Sequence, residues 1–254
     1  MQEGDLAVVV DRVDLVAGNG EVLRAEPDDR GERVHAEIEE NPNSPTHQQA
    51  LKVAELNKQR NAEAIKANLK NIKMPPGFKI ELYAVVPDAR HMAVAPNTNM
   101  LFVGTRKTTV WAVTDRNSDG VADEVKSFAP SLKFTNPNGV CWTKDGFLIV
   151  AEHNRVLNFP AAEFFYESPD IAVAVVIPQG ELIPKEDESF NHTARVCRVG
   201  ADNKIYITLG QPFNVPAKNK LDGFAKYGIG GIIRVDRMKN RRSSAKGMRK
   251  REKA

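Results

Sequence analysis

Cysteine is nearly absent: the 254-residue chain holds two, Cys141 and Cys197. There is no CxxC and no CxxCH, which excludes a zinc ribbon and a covalently attached c-type haem within the chain. Both cysteines fall in apolar strand patterns. They read as two buried thiols, with a disulfide between them as the alternative. Long apolar runs are missing too, and no stretch approaches the ~20 uninterrupted apolar residues of a membrane span. The start, Met1-Gln-Glu-Gly-Asp5, is acidic and has neither a basic nor an apolar region, so no secretory signal is expected in the chain as given. No nucleophile elbow, P-loop or dinucleotide fingerprint is present. Gly228-Ile-Gly-Gly231 lies between strands with no helix after it, which excludes a phosphate cradle.

Aromatic residues are scarce, at 7% of the chain, and none interleaves with the basic residues near the C-terminus. The net charge of +3 is an end effect: residues 237–254 hold nine Lys/Arg and one Glu, and the other 236 residues sum to −5. A basic segment attracts polyanions, but a single-strand groove needs stacking aromatics as well. Residues 238–254 therefore read as a solvated basic tail, and no nucleic-acid partner is expected.

What is present divides the chain into four parts. Residues 1–43 are acidic and turn-rich, with possible strands at Leu6-Ala-Val-Val-Val10 and Val13-Asp-Leu-Val-Ala17, and a polar linker from Pro27 to Asn43. Residues 44–73 read as an amphipathic helix. Ser44 caps it, Pro45 suits its first turn, and Leu51, Ala54, Ile65, Leu69 and Ile72 form a narrow apolar stripe. Pro75-Pro-Gly77 ends the helical pattern.

From there to residue 237 the pattern is β, and it repeats. Met92-Ala-Val-Ala-Pro-Asn-Thr-Asn-Met-Leu-Phe-Val103 precedes Thr109-Val-Trp-Ala-Val113. Gly139-Val-Cys-Trp-Thr-Lys-Asp-Gly-Phe-Leu-Ile-Val150 precedes Arg155-Val-Leu-Asn-Phe159. Arg195-Val-Cys-Arg-Val-Gly-Ala-Asp-Asn-Lys-Ile-Tyr-Ile207 precedes, after an insertion, Gly231-Ile-Ile-Arg-Val235. Each unit is strand, Asp/Asn/Gly turn, strand, then a further strand. The starts lie 47 and 56 residues apart, close to the ~40–50-residue period of propeller blades. A parallel α/β fold is excluded because no crossover helix lies between the strands. The fold expected is all-β, a β-propeller of three to four blades preceded by a helix, with antiparallel sheets over residues 78–236. A β-sandwich is the alternative.

The order of several motifs resembles the glucose/sorbosone dehydrogenase family, whose members are quinoprotein β-propellers. The residues that carry the resemblance are Met74-Pro-Pro-Gly-Phe-Lys-Ile-Glu-Leu-Tyr83, Ala89-Arg-His-Met-Ala-Val94 with Leu101-Phe-Val-Gly-Thr105, and Asn136-Pro-Asn-Gly-Val140 with Leu148-Ile-Val-Ala-Glu152. Phe190-Asn-His192 with Lys204-Ile-Tyr-Ile-Thr-Leu-Gly210 completes the set. The resemblance implies a six-bladed propeller of which residues 74–249 match the opening part. It also implies oxidation of a sugar or related alcohol or aldehyde with pyrroloquinoline quinone (PQQ) as cofactor, calcium, an electron acceptor such as a cytochrome or quinone, and a periplasmic location. Three to four blades are expected to have little activity alone, because a cofactor held from one side loses enforced alignment.

By the same resemblance His192 is the catalytic base. A neutral imidazole suits removal of a hydroxyl proton near pH 7. Gln211 stands where glucose-type members carry an Asp, and its amide is expected to hydrogen-bond the imidazole without supplying charge. Asn138 matches a substrate-side turn, with an αL turn residue as the plain alternative. Arg249 matches the arginine that packs on the quinone, although Lys250 follows where the family has Asn. Independently, Asp115, Asn117 and Asp119 stand at positions 1, 3 and 5 of a calcium-loop pattern with Gly120 at 6 and Asp123 at 9, but Lys126 replaces the bidentate Glu at 12. An Asp/Asn-rich hairpin without metal is the alternative. His91 and His153 receive no role. Two other functions stand beside the dehydrogenase: a sugar- or protein-binding propeller without redox chemistry, and a calcium-dependent lactonase-like hydrolase.

Overall fold

The structure is a computed structural model that describes residues 5–10, 59, 61–237 and 241–244. The chain forms two compact units, Met1–Val85 and Val86–Ala254. In the first, residues 61–69 are helical, within the stretch expected to be a helix, and Ile65 is buried. Strand β1 (Asp5–Val10) runs parallel to β2 (Lys79–Val85). The expected strand at Leu6–Val10 is thus present, and the one at Val13–Ala17 lies outside the described residues. The expectation of antiparallel blade strands from Phe78 is corrected here. The long connection from Val10 to Lys79 permits parallel pairing, which no tight turn could.

The second unit contains three four-stranded antiparallel sheets. The first is β3 (Ala89–Val94), β4 (Leu101–Thr105), β5 (Val110–Thr114) and β6 (Glu124–Phe128). The second is β7 (Gly139–Trp142), β8 (Leu148–Ala151), β9 (Val156–Phe159) and β10 (Ala174–Ile177). The third is β11 (Cys197–Val199), β12 (Ile205–Leu209), β13 (Gly231–Asp236) and β14 (Arg241–Ser244). Each sheet is an up-and-down meander in chain order. The first strands adjoin: β3 touches β7, and β7 touches β11. Three meanders set side by side through their first strands are blades of a β-propeller. Strand β14 falls in the stretch read as a basic tail, where Arg241 pairs with Asp236 and Arg242 with Val235. The edge of β13 needed a partner for its backbone groups, and the two arginines and two serines of Arg241–Ser244 supply one without an apolar pattern to reveal it.

The repeated turn residues behave alike. Asn99 joins β3 to β4 and Asn203 joins β11 to β12, both at positive φ, the conformation that Asn tolerates better than other non-glycine residues. The middle blade shows why its strands read as continuous apolar runs. Leu148 and Val150 of β8 join a core with Phe102, Phe128 and Phe159, while Ile149 and Ala151 join one with Cys197, Ile205, Ile207 and Ile233. Successive side chains of a strand point to opposite faces, and here both faces meet another blade. Phe128 stacks edge-on against both Phe102 and Phe159, at 5.1 Å each. Such pairs add about 0.5–1.5 kcal/mol beyond burial.

Cys141 of β7 and Cys197 of β11 form a disulfide. This corrects the reading of two buried thiols. Each cysteine occupies the first strand of its blade, and the adjoining of those strands brings the two Cα atoms to 5.9 Å, within bonding geometry.

Candidate functional site

Strand order decides which loops share an end. In an up-and-down meander the β4–β5, β8–β9 and β12–β13 loops emerge at the same end as the β6–β7 and β10–β11 connections. His192 and Asn138 lie on those connections and Gln211 on the β12–β13 loop, so the structure brings these three candidates to one end. The Asp115–Asp123 loop joins β5 to β6 and lies at the other. Arg249 is outside the described residues.

His192 is exposed and sits at φ 51°. Its Nδ1 lies 2.7 Å from the Gln211 carbonyl oxygen. A carbonyl only accepts, so Nδ1 carries a hydrogen, and whenever the ring holds one proton its lone pair is on Nε2. The expected partner was the Gln211 side chain. The structure uses its backbone, and the Gln211 amide donates instead to Asn214 O at 3.3 Å. Gly210 makes the approach possible, because a Cβ there would stand 2.4 Å from the His192 carbonyl oxygen and 2.7 Å from its Cβ.

Asn138 is only 4% exposed, and its amide donates to Arg195 O at 2.8 Å. It is an internal brace rather than a substrate-facing residue, and the αL residue of this turn is Asn136. The residue that organises this end was not singled out from the sequence. Arg195 is 1% exposed. Its guanidinium donates to His153 O through Nε and to His192 O through Nη1, both at 3.0 Å. Burial pushes it down to about 10, with Glu188 acting in the opposite direction, and it remains a cation at neutral pH. A lone arginine two residues before a strand carries no sequence pattern. Only the meeting of two loops around it gives it a role.

A cleft of about 610 Å³ opens at this end, within the size range of small-molecule sites. Arg106 and Lys107 of the β4–β5 loop line it, with Asn136, His153, Glu188, Phe190 and Thr193 among the other residues of its wall. Asn136 Nδ2 donates to Thr193 Oγ1 at 2.5 Å, tying the two inter-blade connections together. The lining imidazole is His153, which the sequence reading left without a role; His192 stands beside the wall. Behind the cleft, Glu152 accepts from Thr135 N at 2.7 Å and pairs with Arg155.

Two histidines are held below the ordinary imidazole value of 6.5. Burial is the main cause for both; Arg195 adds to it at His153 and Arg198 at His91, while Glu188 pulls His153 back. The unfolded chain takes up these protons near pH 6.5 and the folded chain only at lower pH. Stability from this source is therefore fully present above about pH 6.5 and is lost as pH falls below it. Urea melts between about pH 5 and pH 8 are expected to show that decline, and the double variant His91→Gln, His153→Gln to flatten it.

In the β5–β6 loop the acidic and amide side chains bond the loop's own backbone. Asp115 accepts from Asp119 N at 3.2 Å and Gly120 N at 2.9 Å, Asn117 from Asp119 N at 2.9 Å, Asp119 from Val121 N at 2.8 Å, and Asp123 from Arg116 N at 2.6 Å. Asx side chains closing on their own backbone are turn chemistry. Among the described residues no group of three or more His, Cys, Asp or Glu is placed to hold a metal ion. Nor, among them, is any helix long and apolar enough to cross a membrane.

No family model matches the chain, and no curated protein matches it. Solved structures do. The chain is similar to the holo form of the pyranose dehydrogenase PQQ domain from Coprinopsis cinerea, at 15% identity over 60% of this chain and 34% of that one, with a TM-score of 0.46. It is similar to the calcium structure of a Trichoderma reesei carbohydrate-active enzyme of family AA12, at 16% identity over 62% and 38%, with a TM-score of 0.47. It is similar to a gluconolactonase from Xanthomonas campestris, at 18% identity over 53% and 39%, with a TM-score of 0.38. This chain spans between a third and two fifths of the length of each. The blade assignment itself rests on the strand order and register described above.

Proposed function

We propose that these blades carry the base-bearing side of a quinone-dependent dehydrogenase acting on the hydroxyl groups of sugars or related alcohols. One observation carries the reading. The Gln211 carbonyl holds His192 Nδ1–H at 2.7 Å, and this leaves an exposed imidazole with Nε2 as a proton acceptor. Such a group takes the hydroxyl proton as the carbinol C–H leaves as hydride. The donor set of the cleft fits PQQ: Arg106 and Lys107 are cations on its wall and match the carboxylates of that molecule, with Arg249 as a further cation by resemblance. When bound, PQQ supplies the two-electron acceptor for the hydride. The chain's own residues do the rest. Arg195 holds the loops of His153 and His192 at a fixed spacing, and Gly210 lets His192 seat on the β12–β13 loop. The Cys141–Cys197 disulfide supports an oxidising compartment such as the periplasm.

The test is absorbance titration with PQQ and quinone-dependent dye reduction with aldoses. Turnover of these blades alone is expected to be low; His192→Ala is expected to lower what there is by up to ~10²–10⁴-fold, the usual contribution of a general base, and to leave quinone binding intact. Turnover unchanged in His192→Ala overturns the assignment. One observation favours a second reading, a sugar-binding propeller without redox chemistry: His192 stands outside the lining of the cleft. Sugar binding without any quinone binding would select it.

A further inference from the structure

The last strand of each blade, β6, β10 or β14, has an open backbone edge: among the described residues no further strand pairs with its outer side. An open edge is a template for another strand, and charged residues are a common guard against such pairing. Two of the three edges carry that guard. Glu124 and Lys126 stand in β6, and Arg241 and Arg242 in β14. Strand β10 carries none. From Ile171 to Pro178 the chain reads Ile-Ala-Val-Ala-Val-Val-Ile-Pro, without a charged residue.

The fold leaves the first part of this stretch uncovered. Ala172, Val173 and Ala174 are exposed, and Val175 is 56% exposed. Ala174 and Val175 pair with Asn158 and Leu157 of β9 on one side, and the register shifts only after them, between Val175 and Ile177. Alternate residues of a strand point to opposite faces, so two alanines and two valines make this edge apolar on both. The connection from β9 to β10 adds the short helix Ala162–Phe165, whose Phe164 and Phe165 are exposed as well.

What matches a strand edge is the edge of another strand, because main-chain N–H and C=O groups there are satisfied by their counterparts on a partner. An antiparallel pair of identical strands is related by a two-fold axis, so each copy offers the groups that it receives. No charge meets its own image across that axis here, whereas at β14 arginine would meet arginine. Each copy uses this edge once, so the pairing closes at two. The exposed stretch opens β10, at the end of the sheet away from the cleft, since the β10–β11 connection leaves at the cleft end. Pairing there keeps both clefts open.

We propose that β10 is a dimerisation edge: two copies of this chain pair antiparallel through Ala172–Val175 and join their second blades into one continuous sheet, with Phe164 and Phe165 beside the junction. The proposal is independent of the quinone reading.

Light scattering and sedimentation of the full chain over a concentration series test it, with hydrogen exchange followed in residues 171–177. A dimer is expected, and exchange in 171–177 is expected to slow as it forms. Val175→Lys sets like charges into the junction and is expected to raise the dimer dissociation constant roughly tenfold or more. Val175→Thr, uncharged and β-branched, should keep the dimer. So should Val215→Lys, which puts the same charge on an exposed valine away from the edge. A chain that stays monomeric at every concentration overturns the proposal. So does a dimer that Val175→Lys leaves intact, or one that Val215→Lys weakens as much. A dimer whose formation leaves exchange in 171–177 unchanged overturns strand pairing in favour of a contact through side chains. A monomer in which these amides slow only when an extended apolar peptide is added makes the edge a peptide site and overturns self-pairing.

Discussion

Replacing Cys141 and Cys197 together by alanine is expected to lower the free energy of unfolding by about 4 kcal/mol, the chain-entropy value for a closed loop of this length. The two residues are 56 positions apart, so the cross-link constrains a large part of the unfolded chain. They are also buried between the second and third blades. The measurement is a urea melt of the double variant beside the unmodified chain, and of the unmodified chain with and without dithiothreitol. The double variant and the reduced chain should agree to within about 1 kcal/mol. A midpoint that does not respond to reduction would show that the disulfide contributes nothing to the fold.

Arg195→Leu is expected to cost about 2–3 kcal/mol and to lower turnover at least tenfold. Leucine fills part of the space but donates nothing, so the carbonyls of His153 and His192 lose their guanidinium donors. Each acceptor left unpaired away from water costs on the order of 1–3 kcal/mol. Relief from holding a cation at 1% exposure offsets part of that. The effect on activity is separate and comes through His192, whose φ of 51° is a conformation that surrounding contacts must enforce. Arg195→Lys keeps the charge but lacks the planar fork that reaches two carbonyls at once, and should recover less than half of the stability. Stability lost with turnover unchanged would mean that Arg195 braces the blades without positioning His192.

The repeat was legible in the sequence because a blade writes itself into the chain. Leu148-Ile-Val-Ala151 must be apolar at every position when both faces of β8 meet another blade, and Asn99 and Asn203 must tolerate positive φ where the strands reverse. The place of His192 at one end of the sheets follows from strand order alone. Strand β14 was not legible, because Arg241–Ser244 carries no apolar alternation; it is recruited by the open backbone edge of β13, a tertiary fact. The Asp115–Asp123 loop was ambiguous for a related reason, since the same Asp and Asn spacing serves a cation or the loop's own N–H groups, and the side chains bond those N–H groups here. Arg195 and His153 were invisible as site residues, each being a single side chain without a local pattern. Their roles are made by loops from different blades converging at one end. Local composition and period therefore determined the strands, the turns and the number of blades that could be read. The pairing of the cysteines, the donor that spaces the two histidine loops and the residues that line the cleft were decided by which first strands adjoin, a relation between residues far apart in the chain.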